Sequence, residues 1–304
     1  MHNWPDNHLK NTYSHVKSRT LLNQRRTLNY IMNKTLYTAI LIFLGQSVIA
    51  QKGIDNLIKA EKDFAAYSVA HSTKEAFLQF IDSNSIMFDE GKPVTAFAFW
   101  NKREKKPGIL NWHPQYAEIS ASEDFGYTTG PWTFQLPGSD SIIARGQYST
   151  VWHLNKKGEW KFLVDFGIDN TQPGSEEERI INTPKESHEK GDHSPASMLE
   201  RAETNFNSLV ATDKRKAYEI YLSGESILTR NGFLPAVTLD ARRFLIDSTP
   251  SGIQYTTNGS GISSVPDMGY TYGTAIINSK AENYMRIWRR EKNGWRIALE
   301  VLRY

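Results

Sequence analysis

The sequence predicts an α+β fold built twice in tandem, each copy opening with helices and closing with antiparallel strands. Three observations predict it. Short motifs recur in the same order along the chain, apolar residues at helical period head each copy, and each copy ends in a hairpin pattern. The recurring residues are Ala60-Glu61 and Phe64, matched by Ala202-Glu203 and Phe206; Gly91 by Gly232; DFGYTTG from Asp124 by DMGYTYG from Asp267; Tyr148 and Trp152 by Tyr284 and Trp288; and Trp160 by Trp295. Their separation drifts slowly, as loop insertions make it. The copies are placed at 54–169 and 196–304.

Taken in order, Met32 to Ala50 holds Lys34, an apolar run from Leu36 to Leu44, and Val48 and Ala50 before a cleavage point at Gln51. That is the pattern of a secretory signal. The alternative is a membrane anchor, but Leu36 to Ala50 is short of the roughly 20 residues that span a bilayer. The expectation is an exported protein, periplasmic or extracellular, with no stable membrane span after cleavage. A signal starting at Met32 leaves residues 1–31 as a non-native or disordered extension, or as a basic targeting segment.

Ile54, Leu57, Ile58, Phe64, Ala65 and Val69 follow a helical period over Ile54–His71, and Leu199, Ala202, Phe206 and Leu209 repeat it over Met198–Ala211. A second helix is expected at Thr73–Ile81 and Asp213–Leu222. A short strand, a Gly turn and a helix at Ala96–Lys105 and Thr238–Ile246 come next. The closing hairpins turn at Lys157-Gly158 and at Asn293-Gly294, the latter a type I′ signal. Between the copies, Asn170 to Pro195 is polar and rich in Pro, Gly, Ser and charge, a linker. Its His188 and His193 fall short of the ligands a metal site needs.

Length and composition allow two domains with cores of their own: 304 residues, 39% hydrophobic. The chain has no cysteine, which removes disulfides, thiolate metal sites and a cysteine nucleophile. The net charge of +3 is concentrated at the start. Removing the five cations and one anion of residues 1–31, and Lys34, leaves −2 for residues 51–304. No nucleic-acid partner is expected of so nearly neutral a folded region. No P-loop, G-x-G-x-x-G, G-x-S-x-G or H-E-x-x-H occurs, and no cofactor or metal is expected.

Helical start, Gly turn, D-x-G-Y-T-x-G strand and Y-x-x-x-W hairpin together resemble the SnoaL-like, domain-of-unknown-function branch of the nuclear transport factor two-like superfamily, in two copies. The resemblance implies a cone-shaped domain in which a curved antiparallel sheet wraps round N-terminal helices and leaves a pocket at the open end. It also implies that the two sheets pair within the chain or in a homodimer. Members range from ketosteroid isomerase, polyketide cyclases and dehydratases to noncatalytic binding modules, so it selects no function.

Alternation puts Asp124, Gly126, Thr128 and Gly130 on one face of the motif strand, and Phe125, Tyr127 and Thr129 on the other. Two glycines on one face predict sharp coiling or a close neighbouring backbone. For chemistry, Asp165 and Glu300 stand five residues after Trp160 and Trp295, a carboxylate at one point of each final strand. Alternation places Asp165 opposite Trp160, Phe162 and Val164. A desolvated carboxylate there is a candidate general acid or base, and the alternative is an outward ion pair. His113, beside Trp112 and Pro114, and Tyr127 are the other catalytic candidates. Trp112, Trp132, Tyr270 and Glu300 are candidate ligand contacts.

Three functions follow as expectations: binding of a small, mostly apolar molecule; isomerase, dehydratase or cyclase chemistry through an acid/base carboxylate; or an association module.

Overall fold

The structure is a computed structural model that describes residues 53–139, 141–174 and 195–304. The expected extension, the signal segment, and His188 and His193 lie outside those residues. Gly53–Tyr304 forms one compact unit containing two α+β repeats.

Helix α1 (53–70) turns Leu57, Ile58, Phe64 and Ala65 inward at helical spacing. Ser72 caps α2 (Thr73–Phe80), its Oγ accepting from the Glu75 N–H at 3.2 Å. Strands β1 (Ile81–Asp89) and β2 (Lys92–Thr95) pair across Glu90-Gly91, both with positive φ. Helix α3 (Ala96–Lys102) stops before the expected Lys105. Arg103 turns out of it to lie over the Phe99 ring and pair with Asp89, while Lys74 takes the carbonyls of Asn101 and Arg103. Then come β3 (Ile109–Trp112), β4 (Tyr116–Ile119), β5 (Phe125–Gln135), β6 (Ile142–Leu154) and β7 (Trp160–Asp169).

The second repeat runs α4 (Pro195–Thr212), α5 (Lys214–Tyr221), β8 (Leu222–Arg230), α6 (Leu239–Ser248), β9 (Gln254–Ile262), β10 (Met268–Ile277), β11 (Lys280–Glu291) and β12 (Gly294–Leu302). Asp213 and Thr238 cap α5 and α6 through their side chains. Among the described residues no helix is long and apolar enough to cross a membrane.

The sheet orders are β2-β1-β7-β6-β5-β3, with β4 also on β5, and β8-β12-β11-β10-β9. Neither hydrogen-bonded path closes on itself. The sheets are mixed rather than wholly antiparallel, because the first strand after the helices adds parallel to the last: β1 to β7 and β8 to β12. That strand covers the edge which the closing hairpin leaves unpaired. The second hairpin is not type I′. Of its turn residues only Gly294 has a positive φ, 99°, and Glu291 pairs directly with Gly294.

A bulge corrects the predicted facing of Asp165. Val151 pairs with Val164 but Trp152 with Phe162, so Leu163 is an extra residue and the alternation changes phase there. Phe162 and Asp165 therefore share the helix-facing side, while Val164 and Phe166 face the other sheet. The second repeat has the same irregularity between Ile287 and Trp288.

The outer faces of the two sheets pack on each other in one apolar layer that includes Phe125, Val164, Phe166, Met285 and Leu299. Phe125 stacks on Tyr270 at 5.9 Å, and Phe88 meets Tyr272 edge-on at 6.1 Å. The motif aspartates tie the repeats reciprocally: Asp267 accepts from the Ala121 N–H at 2.7 Å, and Asp124 accepts from the Ser264 hydroxyl. Arg289 of the second repeat pairs with buried Glu118 of the first at 2.7 Å.

The motif glycines face the helices. A Cβ on Gly126 would lie 2.6 Å from both Leu57 Cδ2 and the Glu118 carbonyl, and one on Gly130 would lie 2.0 Å from the His113 carbonyl. Gly269 and Gly273 meet Leu199 and the Thr256 carbonyl in the same way. The repeated motif thus combines close backbone approach on one face with the inter-repeat contact on the other.

Candidate functional site

Each repeat buries a glutamate in the apolar stripe of its first helix. Glu61 accepts from Trp112 Nε1 (2.5 Å), Trp152 Nε1 (2.8 Å) and the Thr128 hydroxyl. Glu203 accepts from Thr271 (2.8 Å), Trp288 (3.1 Å) and Tyr284 (2.9 Å). These bonds join helix to sheet in both copies. Burial raises the Glu61 pKa above the ordinary carboxylate range, against the three hydrogen bonds that favour the ion.

Next to Glu61 the first repeat holds a cavity of about 300 Å³. Phe77 of α2, Trp112 of β3 and Trp132 of β5 form aromatic wall, and Tyr148 and Asp165 come from β6 and β7. Trp132 is held in place by donating to the Ile168 carbonyl at 3.1 Å, over Gly146, where any Cβ would meet the indole at 2.5 Å. Asp165 accepts from the Thr150 hydroxyl at 2.7 Å. Desolvation pushes its pKa up to about 7; the Thr150 bond opposes this and the neighbouring Glu61 carboxyl adds to it. The buried Tyr148 hydroxyl has no hydrogen-bond partner among the described residues. Burial, with Glu61 nearby, keeps that phenol protonated well beyond the usual range.

The corresponding place in the second repeat is filled by charge. The paired strands put Arg286 opposite Glu300 where the first repeat has Thr150 opposite Asp165. Glu300 accepts from Arg286 Nε at 2.6 Å, Arg230 Nη2 at 2.5 Å and the Tyr218 hydroxyl at 2.7 Å. Burial alone raises its pKa, but the two guanidinium groups outweigh that and hold it down to about 2. Arg286 also pairs with Glu203 at 2.5 Å and lies between the rings of Phe206, Tyr255 and Tyr284. All four ionic side chains are essentially inaccessible.

The structure therefore brings Asp165, Trp112 and Trp132 together. It places Tyr127 and Tyr270 in the layer between the sheets, on the faces opposite the helices; the Tyr127 hydroxyl donates to Glu118 at 2.9 Å. His113 is half-buried just beyond Trp112, with its carbonyl against Gly130, and does not line the cavity. Glu300 sits in the ionic cluster rather than beside a cavity. Sequence reasoning missed Tyr148, Glu61 and Arg303. The first two were visible only as repeat matches, although a glutamate on the same helical stripe as Leu57, Ile58 and Phe64 was a signal of a buried acid.

No protein-family model matches the chain, and no curated protein does. Among solved structures, a ketosteroid isomerase-like protein from Erwinia carotovora atroseptica is 15% identical, over 36% of this chain and 95% of that one, with a TM-score of 0.31. An NTF2-like protein from Cytophaga hutchinsonii is 11% identical, over 36% and 98%, with a TM-score of 0.31. A protein of unknown function with a cystatin-like fold from Nostoc punctiforme is 12% identical, over 35% and 88%, with a TM-score of 0.30.

Proposed function

We propose that this chain binds a small, mostly apolar molecule in the first repeat, at a position that is filled by charge in the second. The observation that carries this reading is the contrast between equivalent positions. Asp165 opens on an aromatic-walled cavity, whereas Glu300 is enclosed by Arg230, Arg286 and Tyr218. The motifs and the helix-then-sheet order support a tandem NTF2-like, SnoaL-like architecture with the cone open at the first repeat. Native mass spectrometry of the full chain tests the binding: a mass excess lost on denaturation, and lost again when Trp132→Ala removes part of the aromatic wall, is expected. A bare chain mass with no displacement of an added probe such as 2-tetralone removes the reading.

A second reading is favoured by one observation, the position of Asp165 in that cavity with a pKa near 7. Such a carboxylate takes a proton from a carbon beside a carbonyl and returns it to another carbon of the enolate, as in a cofactor-independent isomerase, or delivers it to a departing β-hydroxyl that leaves as water, as in a dehydratase. The Tyr148 hydroxyl stands as donor to the oxygen that gains charge. Exchange of the α-hydrogens of 2-tetralone in D2O, followed by NMR, is expected with wild type and absent with Asp165→Asn; exchange at equal rates in both excludes Asp165 as the base. Export belongs to the same proposal, with Leu36–Leu44 as the signal core. A secreted product whose first residue is Gln51 supports it, and retention of Met1 in the mature chain excludes it.

A further inference from the structure

Arg303 lies just past the end of β12, in the second repeat, yet its guanidinium reaches the first. Its Nη2 donates to the Gly167 carbonyl, and the group lies 4.8 Å over the Phe166 ring. It is also part of the wall of the cavity that holds Asp165 and Trp132. Among the described residues it has no ion-pair partner, and the Gly167 bond is the single hydrogen bond its side chain makes. The carboxylates whose fields reach it are Asp169, Glu282 and Asp165. Of these, Glu282 is paired with Lys280, Asp165 is bonded to Thr150, and Asp169 is exposed.

A guanidinium remains charged in any protein and offers five donors in a planar fork. Among the described residues that fork makes one hydrogen bond, and it lies on the wall of a cavity whose other lining includes Phe77, Trp112, Trp132, Tyr148 and the carboxylates Asp165 and Asp169. A neutral occupant would desolvate the half-buried cation further and give it no new partner, whereas a carboxylate would pair with it in a medium less polar than water. Resting on the binding reading above, we propose that the preferred ligand is a small ring-containing carboxylate whose anionic group pairs with Arg303 while its ring lies between Trp112, Trp132 and Phe77. The second repeat then supplies the residue that sets the specificity of the first. Asp165, its pKa pushed up to about 7, is mostly protonated below that pH and there does not repel the bound anion; the exposed Asp169 is the other carboxylate on the cavity wall.

The test uses two matched probes, 2-naphthoate and its uncharged counterpart 2-acetylnaphthalene, titrated into the full chain and read by tryptophan fluorescence. Wild type is expected to bind the carboxylate at least about tenfold more tightly, the equivalent of ~1.4 kcal/mol. Arg303→Met is expected to abolish that preference while leaving 2-acetylnaphthalene within about threefold, and Arg303→Lys to recover part of it. Equal binding of both probes by wild type, or an equal loss of both in Arg303→Met with Arg303→Lys no better, overturns the inference and leaves the pocket standing. Binding of neither probe by wild type overturns both. The wild-type comparison decides the matter even where a variant does not fold.

Discussion

Asp165 and Glu300 stand at one position of a duplicated strand, and their neighbours drive them to opposite protonation states. Asp165 has a hydroxyl and a cavity beside it; Glu300 has two guanidinium groups. The consequences for stability have opposite signs. The folded pKa of Asp165 lies near 7, against 3.8 as its ordinary value, so the unfolded chain releases its proton first as pH rises. Wild type therefore loses stability between about pH 4 and pH 7, by at most about 4 kcal/mol. Asp165→Asn is expected to match wild type in melting temperature near pH 4 and to exceed it increasingly up to pH 7, with a constant margin above. Melting curves of the two proteins across that range check this, and a margin that does not change with pH counts against a protonated Asp165. Glu300, with its pKa held down to about 2, contributes stability above its ordinary range that is lost as pH falls through 4.5 toward 2. Glu300→Gln leaves two buried cations short of a counter-charge and is expected to cost about 3–5 kcal/mol in urea unfolding at neutral pH.

At the scale of the element, the motif strands β5 and β10 show how one sequence pattern serves two faces. Their glycines admit the first helix and the neighbouring strand, and the aromatic residues between them form the layer that the repeats share. Gly130→Ala is expected to destabilise the fold by about 1–3 kcal/mol, because the new methyl meets a carbonyl oxygen in a sheet that has little room to move. Gly224→Ala, which meets nothing within 4 Å, is the matched control and is expected to be neutral or slightly stabilising. Denaturant midpoints of the two variants give the comparison, and equal midpoints count against close approach as the reason for the motif. The duplicated elements were legible in the sequence because amphipathic period and turn residues are local properties. The parallel strands β1 and β8, the end of α3 at Lys102 and the bulge at Leu163 were not. The first two arise from contacts with other segments, β1 with β7 and Arg103 with Asp89, and the third from the register of Trp152 with Phe162 across the β6–β7 hairpin.

For the whole molecule, the inter-repeat layer makes the two copies one object. Buried Glu118 receives Arg289 from the other repeat and the hydroxyls of Tyr116 and Tyr127 from its own. The full chain is expected to unfold in one calorimetric transition whose van't Hoff and calorimetric enthalpies agree. Arg289→Met leaves Glu118 buried without its cation and is expected to lower stability by about 3–5 kcal/mol and to broaden or divide that transition. An unchanged transition in the variant would show that the pair adds nothing to the coupling. Tyr127 and Tyr270 belong to this layer, and their exclusion from the cavity is a property of the assembly rather than of either strand. The sequence by itself determined the duplication, the order of helices and strands, the glycine-lined face of the motif and the equivalence of Asp165 with Glu300, since all of these rest on residue type and spacing along the chain. Only the tertiary structure decided which carboxylate borders a cavity, which is neutralised by arginines, and that Arg303 crosses from one repeat to the other. Protonation and access depend on the distances to groups far away in sequence, and no local pattern records them.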